Sequence, residues 1–261
     1  MSTDLNRLCL GCMNLLPQQG AICPKCNWPN NAVGNMEHLP PGTRLKVENR
    51  EYLLGKSLGQ GGFGIVYVAW DVAHDRKVAI KEFFPSVLAQ RTHSYSVIVK
   101  NNSDPKVYKK FLGNFQKEYS NMVTVKNDPN TVEVLDYVDA NGTAYIVMEF
   151  IDGETLSQKI DTKKANGKLY SLEEIVIDLK PIADALDRIH KTGLIHRDIS
   201  PDNIIFPKNQ GAEVRLMDFG AAREWDPNHP TTIAVMKDGY APPETESLEQ
   251  TPTGGVPRLC Q

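Results

Sequence analysis

The sequence predicts a fold of the α+β class, and two observations support this prediction. Short apolar runs bounded by turn residues, which are typical of strands, fill much of 52–70 and 132–148. Apolar residues recur at helical spacing in 111–125 and again in 182–189. A chain of 261 residues with these elements is compatible with one large domain or with two smaller ones.

Composition and charge narrow the class of protein. Hydrophobic residues make up 41% of the chain, enough for a substantial core, and the 23% of charged residues is ordinary for a globular protein. The net charge of −3 argues against general binding to nucleic acid or to an anionic membrane. No apolar run is long enough to span a bilayer, and the N-terminus does not resemble a secretion signal. We therefore expect a cytoplasmic protein with no membrane segment in this chain.

Four cysteines near the N-terminus form two closely spaced pairs, Cys9 with Cys12 and Cys23 with Cys26. This spacing suits four thiolates arranged tetrahedrally around a structural Zn²⁺ ion, and the segment resembles a zinc ribbon. So short a segment cannot bury enough apolar surface to fold alone, so the metal would supply its folding energy. The alternatives are two disulfides or unrelated free thiols. We expect a ribbon over 1–30, with a possible protein partner, because filled sites of this kind usually serve structure or docking.

A glycine-rich turn at 59–64 follows the first apolar run and precedes the second. Glycines let the backbone approach phosphate oxygens with no Cβ in the way. The alternative is a hairpin that binds no ligand. Lys81, at the end of the apolar run 78–81, favours the phosphate-binding interpretation, because its ammonium could reach the phosphates. Before this region, 31–50 shows no clear periodicity and is predicted to be a linker.

Two further segments have a readable local structure. An unusually long stretch, 82–106, contains an alternating run and predicts an extra hairpin or a loop that covers the following helix. Asn141 and Gly142 separate two apolar runs, and this dipeptide strongly indicates a tight hairpin turn.

The rest of the chain is organised around a polar loop at 194–205, which follows the second helix and leads into a short strand. Asp198 and Asn203 lie in or beside this loop, and Asp218 follows another short strand. The carboxylate of Asp198, the amide of Asn203 five residues later and the carboxylate of Asp218 can all face one cavity. That set suits a proton acceptor beside a magnesium site.

Together these segments resemble the protein kinase family, in particular the eukaryotic-like serine/threonine kinases of bacteria. The resemblance rests on five motifs in the expected order, namely Gly59-Gln60-Gly61-Gly62-Phe63-Gly64-Ile65-Val66, Val78-Ala79-Ile80-Lys81, His196-Arg197-Asp198 with Asn203, Asp218-Phe219-Gly220 and Gly239-Tyr240-Ala241-Pro242-Pro243-Glu244. It implies a two-lobed kinase-like fold, with a sheet-and-helix N-lobe over 51–151 and an incomplete helical C-lobe over 152–261. It also implies ATP and Mg²⁺ as cofactors and a protein substrate.

The resemblance assigns roles to individual residues. Asp198 is expected to accept or orient the proton of the substrate hydroxyl, while Asn203 and Asp218 hold Mg²⁺. Lys81, fixed by Glu118 on the next helix, is expected to align the phosphates. Further residues are expected to contact the nucleotide, including Met148 at the back of the adenine pocket and the hinge that follows it; they are Leu58, Gly59, Gln60, Gly61, Gly62, Phe63, Gly64, Val66, Ala79, Met148, Glu149, Ile151 and Ile205.

The chain departs from the family pattern at two positions that lie close together in the kinase fold. Ser200 stands where serine/threonine kinases usually have a lysine, and Lys237 stands where they usually have a threonine. We expect Lys237 to supply the missing cation; the alternative is an ordinary surface lysine. Thr231 and Thr232 are the hydroxyls of the expected activation loop and are either phosphorylated, with Arg197 as the phosphate's partner, or unmodified.

Only 17 residues follow Glu244, and they show no helical periodicity. A kinase large lobe is normally longer, so we expect an incomplete chain. The competing hypothesis for function is therefore a truncated kinase, impaired in catalysis, that acts as a nucleotide- or partner-binding scaffold.

Overall fold

The computed structural model describes residues 3–29, 37–209 and 211–225. The chain divides into two compact units. The first comprises Met1–Gln116 and Val134–Phe150, and the second comprises Lys117–Glu133 and Ile151–Gln261, in each case so far as the structure describes them. No described helix combines the length and the apolar character that crossing a membrane would need.

A six-stranded antiparallel sheet forms the body of the first unit. Its strands are β1 (Arg44–Val47), β2 (Arg50–Gln60), β3 (Gly64–Asp71), β4 (Arg76–Phe83), β7 (Val134–Ala140) and β8 (Thr143–Glu149). They lie in the spatial order β1, β2, β3, β4, β8, β7, so each strand pairs with a neighbour in this set along the chain, and β4 also pairs with β8. The hairpin predicted at Asn141-Gly142 is confirmed, since both residues have positive φ, at 53° and 72°, as a tight turn of this kind requires.

The core of this unit lies on the central strands. Residues 78–80 of β4 and 144–147 of β8 are buried without interruption, so these parts of the sequence are continuous apolar runs without alternation. Helix α1 (Pro105–Val125) packs aromatic residues of its first half against the end of β4. The ring centroids of Phe83 and Tyr108 are 5.3 Å apart, and those of Phe83 and Phe115 are 5.5 Å apart.

The long stretch after β4 forms the extra hairpin that the sequence predicts. Strands β5 (Ala89–Arg91) and β6 (Val97–Val99) pair with each other and not with the main sheet. The hairpin lies against the β7–β8 turn, where the backbone N–H of Val97 donates to the carbonyl of Asn141 at 2.7 Å.

The N-terminal segment packs onto the sheet of the same unit. Buried residues Leu8 and Met13 form one cluster with Leu53 of β2 and Val68 of β3. Part of the predicted linker is also structured, because β1 lies within 31–50 and pairs with β2. Only one of the four β1 residues is buried, so its sequence carries little hydrophobic pattern.

The second unit contains two helices, short strands and the later part of α1. Helices α2 (Leu156–Ala165) and α3 (Leu172–Lys191) each begin with a capping box, and Gly193, with φ of 81°, follows the end of α3 as predicted. The short strands form a three-stranded sheet and a separate pair; they are β9 (Gly153–Thr155), β10 (Leu194–Ile195), β11 (Ile204–Pro207), β12 (Arg215–Leu216) and β13 (Arg223–Glu224).

Candidate active site

The polar loop after β10 is anchored by its histidine. The side chain of His196 is 1% exposed, its Nε2 lies 3.1 Å from the carbonyl oxygen of Met217, and its ring meets that of Phe219 edge-on at 4.7 Å. Burial lowers the pKa of His196, and this effect outweighs the opposite influence of its hydrogen bond to Met217 and of nearby carboxylates. A neutral imidazole therefore joins the loop to the segment that carries Asp218.

Asp198 and Asn203 are in direct contact. The Nδ2 group of Asn203 donates to the backbone oxygen of Asp198 and to its Oδ2 atom, both at 2.9 Å. The 3₁₀ turn Pro201–Asn203 brings the amide back toward the aspartate. The carbonyl of Asn203 also accepts from the N–H of Met217 at 2.8 Å, so one residue holds the aspartate and the next segment together.

Asp218 adopts a left-handed backbone conformation with φ of 58°. Its Oδ1 atom accepts a hydrogen bond from the N–H of Gly220 at 3.1 Å. A Cβ atom at Gly220 would lie 3.3 Å from Oε2 of Glu118, so this carboxylate from α1 reaches the same turn. Two acidic side chains thus flank Gly220 within the second unit.

The glycine-rich turn joins β2 to β3 in the first unit. Cβ atoms placed at Gly59, Gly61 or Gly62 would meet nothing within 4 Å, whereas one at Gly64 would crowd the carbonyl of Glu82. The first three glycines therefore leave the backbone open to a bulky ligand, as phosphate binding requires.

Several predicted nucleotide contacts share one face of the sheet. Lys81 stands opposite Val66 of β3, and Ala79 stands opposite Met148 of β8. Because directly opposed residues of antiparallel strands point to the same face, and Ala79 and Lys81 are two residues apart, all four side chains lie on that face. A lysine beside small and apolar residues suits a ligand with a phosphate group and a flat apolar ring.

The four N-terminal cysteines converge on one point. All their sulfur atoms lie within 4.8 Å of one another, and none of the four cysteines is in a disulfide. The Sγ atoms are 3.5 Å apart for Cys9 and Cys26 and 3.7 Å apart for Cys12 and Cys23. Four thiolates at zinc–sulfur distances in a tetrahedron would be roughly 3.8 Å apart. The set therefore fits a zinc ion.

Two of the cysteine sulfur atoms accept hydrogen bonds, which favour the thiolate form that binds zinc. The N–H of Gly11 donates to Sγ of Cys9 at 3.3 Å, and Nδ2 of Asn14 donates to Sγ of Cys12 at 2.9 Å. Burial acts to raise the pKa of the Cys12 thiol, but the hydrogen bonds from Asn14 and those with Cys26 and Cys23 together outweigh it and lower the pKa to about 7. Burial raises the pKa of the Cys9 thiol well above its usual range. Metal binding would have to release that proton.

Comparison with known proteins decides the family. The model of the protein kinase domain matches residues 52–254. The chain belongs to the protein kinase family. It is 31% identical over 210 residues to serine/threonine-protein kinase PknA of Nostoc sp., covering 76% of this chain and 33% of that protein. It is 29% identical over 241 residues to serine/threonine-protein kinase B of Synechocystis sp., covering 87% of this chain and 38% of that protein.

A solved structure is also similar to this chain. The structure titled PpkA-294 apo form is 33% identical, has a TM-score of 0.63, and is matched over 70% of this chain and 62% of that chain. The predicted α+β kinase-like fold and the predicted resemblance to bacterial serine/threonine kinases are both confirmed. The chain nevertheless spans only about a third of the length of the first two curated relatives.

Within this kinase domain, some expected relationships stay predictions. Lys81 and Glu118 belong to different units, so their ion pair stays a prediction. The adenine contacts expected of three residues also stay predictions. Glu149 lies on β8, Ile205 lies on β11, and Ile151 lies between β8 and β9. A last group falls outside the described residues, namely Thr231, Thr232, Lys237 and the motif 239–244.

Sequence reasoning missed two charged residues of the kinase domain that are almost fully buried. Glu82, directly after Lys81, is fully buried, and Arg91 of the extra hairpin is 3% exposed. A glutamate between the apolar residues 78–80 and 83–84 of the sequence was the available signal, because a buried carboxylate needs a partner. The sequence alone did not indicate which of the following basic residues supplies it.

Proposed function

We propose that this protein is an ATP- and Mg²⁺-dependent serine/threonine protein kinase that transfers the γ-phosphoryl group to a protein hydroxyl. Family membership supports the proposal, as do the names of its bacterial relatives. The observation that carries it is the pair of hydrogen bonds that Nδ2 of Asn203 donates to Asp198, because this contact places a proton acceptor next to an amide oxygen that can bind Mg²⁺.

In this proposal the second unit carries the chemistry. Asp198 orients the substrate hydroxyl and takes up its proton as the phosphoryl group is transferred. Asn203 holds Asp198 through its nitrogen and offers its amide oxygen to Mg²⁺, and Asp218 offers its carboxylate. Bound Mg²⁺ neutralises charge on the phosphates. Met217 and His196 keep these two metal-binding segments in register.

The first unit would hold the nucleotide. Lys81 and the open glycines of the turn 59–64 suit the phosphates, and the apolar face with Val66, Ala79 and Met148 suits the adenine. Glu118 would hold Lys81. The remaining predicted contacts are proposed to complete the adenine site, namely Leu58, Glu149, Ile151 and Ile205.

The preference for serine or threonine is proposed from the relatives and from the loop sequence. Ser200 replaces the lysine that this kinase class usually has, and its side chain is buried. We propose that Lys237 supplies the cation near the γ-phosphate. A Lys237→Met variant should then lose turnover, while Lys208→Met, at an exposed lysine, should not.

Labelled phosphate transfer tests the proposed activity. The chain is incubated with γ-labelled ATP, Mg²⁺ and a generic protein substrate, and the labelled amino acids are identified. We expect phosphoserine or phosphothreonine, and loss of label with Asp198→Ala. No transfer, with nucleotide binding intact, would favour the scaffold alternative.

For the cysteine cluster, we propose a structural Zn²⁺ site. All four positions around the metal would be filled by Cys9, Cys12, Cys23 and Cys26, which leaves none for catalysis. The packing of Leu8 and Met13 on the sheet supports a role in holding the ribbon against the kinase domain, in addition to any docking of a protein partner.

A further inference from the structure

A buried ion pair joins the extra hairpin to the strand that carries Lys81. The guanidinium of Arg91 donates to both carboxylate oxygens of Glu82, from Nη1 at 3.0 Å and from Nη2 at 2.8 Å. The hydroxyl of Tyr67 on β3 donates to the same carboxylate at 2.9 Å, and that of Tyr145 on β8 donates at 3.1 Å. Groups from two strands and the hairpin therefore hold the carboxylate of the residue that directly follows Lys81 on β4.

The same guanidinium also reaches toward the glycine-rich turn. Its Nε donates to the backbone carbonyl of Glu37 at 2.7 Å. Oε2 of Glu37 accepts from Nε2 of Gln60 at 3.2 Å, and Oε1 of Gln60 lies 2.8 Å from Nε2 of His38. Arg91 thus connects the strand of Lys81 with a residue of the phosphate-binding turn through residues 37–38.

Stability alone does not account for this arrangement. A buried ion pair is often no more stabilising than apolar residues of similar size, because both charges must be removed from water. Burial acts to lower the pKa of Arg91, but its hydrogen bonds to Glu82 and the charge of Glu82 outweigh it and raise the pKa, so the group stays charged. What a forked, charged donor adds over apolar residues is a fixed direction for each hydrogen bond.

We propose that Arg91 is a positioning residue for the nucleotide, holding the end of β4 beside Lys81 and the glycine-rich turn in one arrangement. The inference rests on the proposed use of these two elements to bind ATP. A phosphate chain needs both elements at fixed positions, and ordering them before binding removes an entropic penalty from nucleotide affinity. The extra hairpin thereby acquires a function, which is to deliver this guanidinium.

The test separates positioning from simple loss of stability. Changing Arg91→Met together with Glu82→Gln removes both charges, so no unpaired ion stays buried. The matched control is Arg44→Met with Glu51→Gln, which removes a more exposed ion pair from the same sheet. Each variant of the 261-residue chain is measured for Tm, for the Kd of Mg-ATP, and for kcat and KM.

We expect the double variant to keep a Tm close to that of the wild type. Its Kd and KM for ATP should rise about threefold to tenfold, because nucleotide binding must then order one or two side chains that Arg91 holds in the wild type. Its kcat and its KM for the protein substrate should change little, whereas a partly unfolded enzyme would lose kcat. Wild-type affinity for Mg-ATP in the double variant would overturn the inference.

A second variant covers the case in which the core change prevents folding. Glu37→Ala removes only the exposed side chain that contacts Gln60, and it should also raise the Kd for Mg-ATP. Unchanged affinity in Glu37→Ala would contradict the connection to the glycine-rich turn. If the wild type itself binds no Mg-ATP, the proposed function fails first, and the inference fails with it.

Discussion

The backbone N–H of Lys56 donates a 2.7 Å hydrogen bond to the carbonyl oxygen of Leu10. Leu10 lies between the first two cysteines, and Lys56 lies on β2 shortly before the glycine-rich turn. The cysteine segment is therefore attached to the sheet of the kinase domain by backbone contact as well as by the apolar packing of Leu8 and Met13. Its folding and that of the sheet should be coupled.

Gly55 is the residue whose size this attachment restricts. A Cβ atom there would collide with the carbonyl of Leu10 and lie 2.6 Å from Cε of Met13. Gly55→Ala should therefore lower the free energy of unfolding by about 1–3 kcal/mol, as overpacking does. Urea denaturation measures the change. The control is Gly113→Ala on α1, where an added Cβ meets nothing within 4 Å and better helix propensity should leave stability equal or higher. Equal effects of the two changes would contradict the attachment.

The cysteine cluster predicts one zinc ion per chain. Cys23→Ser removes one of four ligands, so the purified protein should lose most of its zinc and unfold at a lower temperature. Metal analysis and thermal denaturation check both effects. Cys260→Ser, outside the described residues, is the control and should keep its zinc. A wild-type protein that contains no metal after preparation in zinc would refute the site.

Removing the contact between Asn203 and Asp198 should slow phosphoryl transfer. Asn203→Ala takes away both hydrogen bonds to Asp198 and an oxygen ligand for Mg²⁺, so we expect kcat to fall about a hundredfold or more. Steady-state kinetics at saturating ATP measures this fall. Asn209→Ala, at an exposed asparagine, should leave kcat unchanged. Turnover near the wild-type rate in Asn203→Ala would exclude the proposed role.

The buried histidine predicts a pH dependence of stability. Because burial lowers the pKa of His196 below its ordinary value of 6.5, the unfolded chain binds a proton more readily than the folded one. The free energy of unfolding should therefore be largest above pH 6.5 and decrease as the pH falls below that value. His196→Gln should flatten this decrease, whereas His190→Gln, at an exposed histidine, should not. Identical pH profiles for both variants would contradict a buried, neutral His196.

Local patterns predicted much of the fold. They also marked the loop with Asp198 and Asn203 as polar residues between two apolar runs, whereas the catalytic roles of these residues come from the family resemblance and stay predictions. The Asn141-Gly142 turn was readable because a tight hairpin requires two residues with positive φ.

Long-range contacts were not readable from local patterns. The bond from Lys56 to Leu10 involves only backbone atoms, which every residue carries, so no side chain signals it. The pairing of Glu82 with Arg91 depends on the path of the extra hairpin, and the sequence does not specify that path. Both contacts lie beside elements that would hold nucleotide.

The most direct test of the account is calorimetric titration of the whole chain with ATP, with and without Mg²⁺. The account predicts saturable binding that strengthens when Mg²⁺ is present, and loss of that strengthening in Asp218→Asn, which keeps the size of the side chain but removes its charge. ATP affinity that is the same with Mg²⁺, with a chelator and in Asp218→Asn would contradict a metal-assisted kinase site built on Asp198, Asn203 and Asp218.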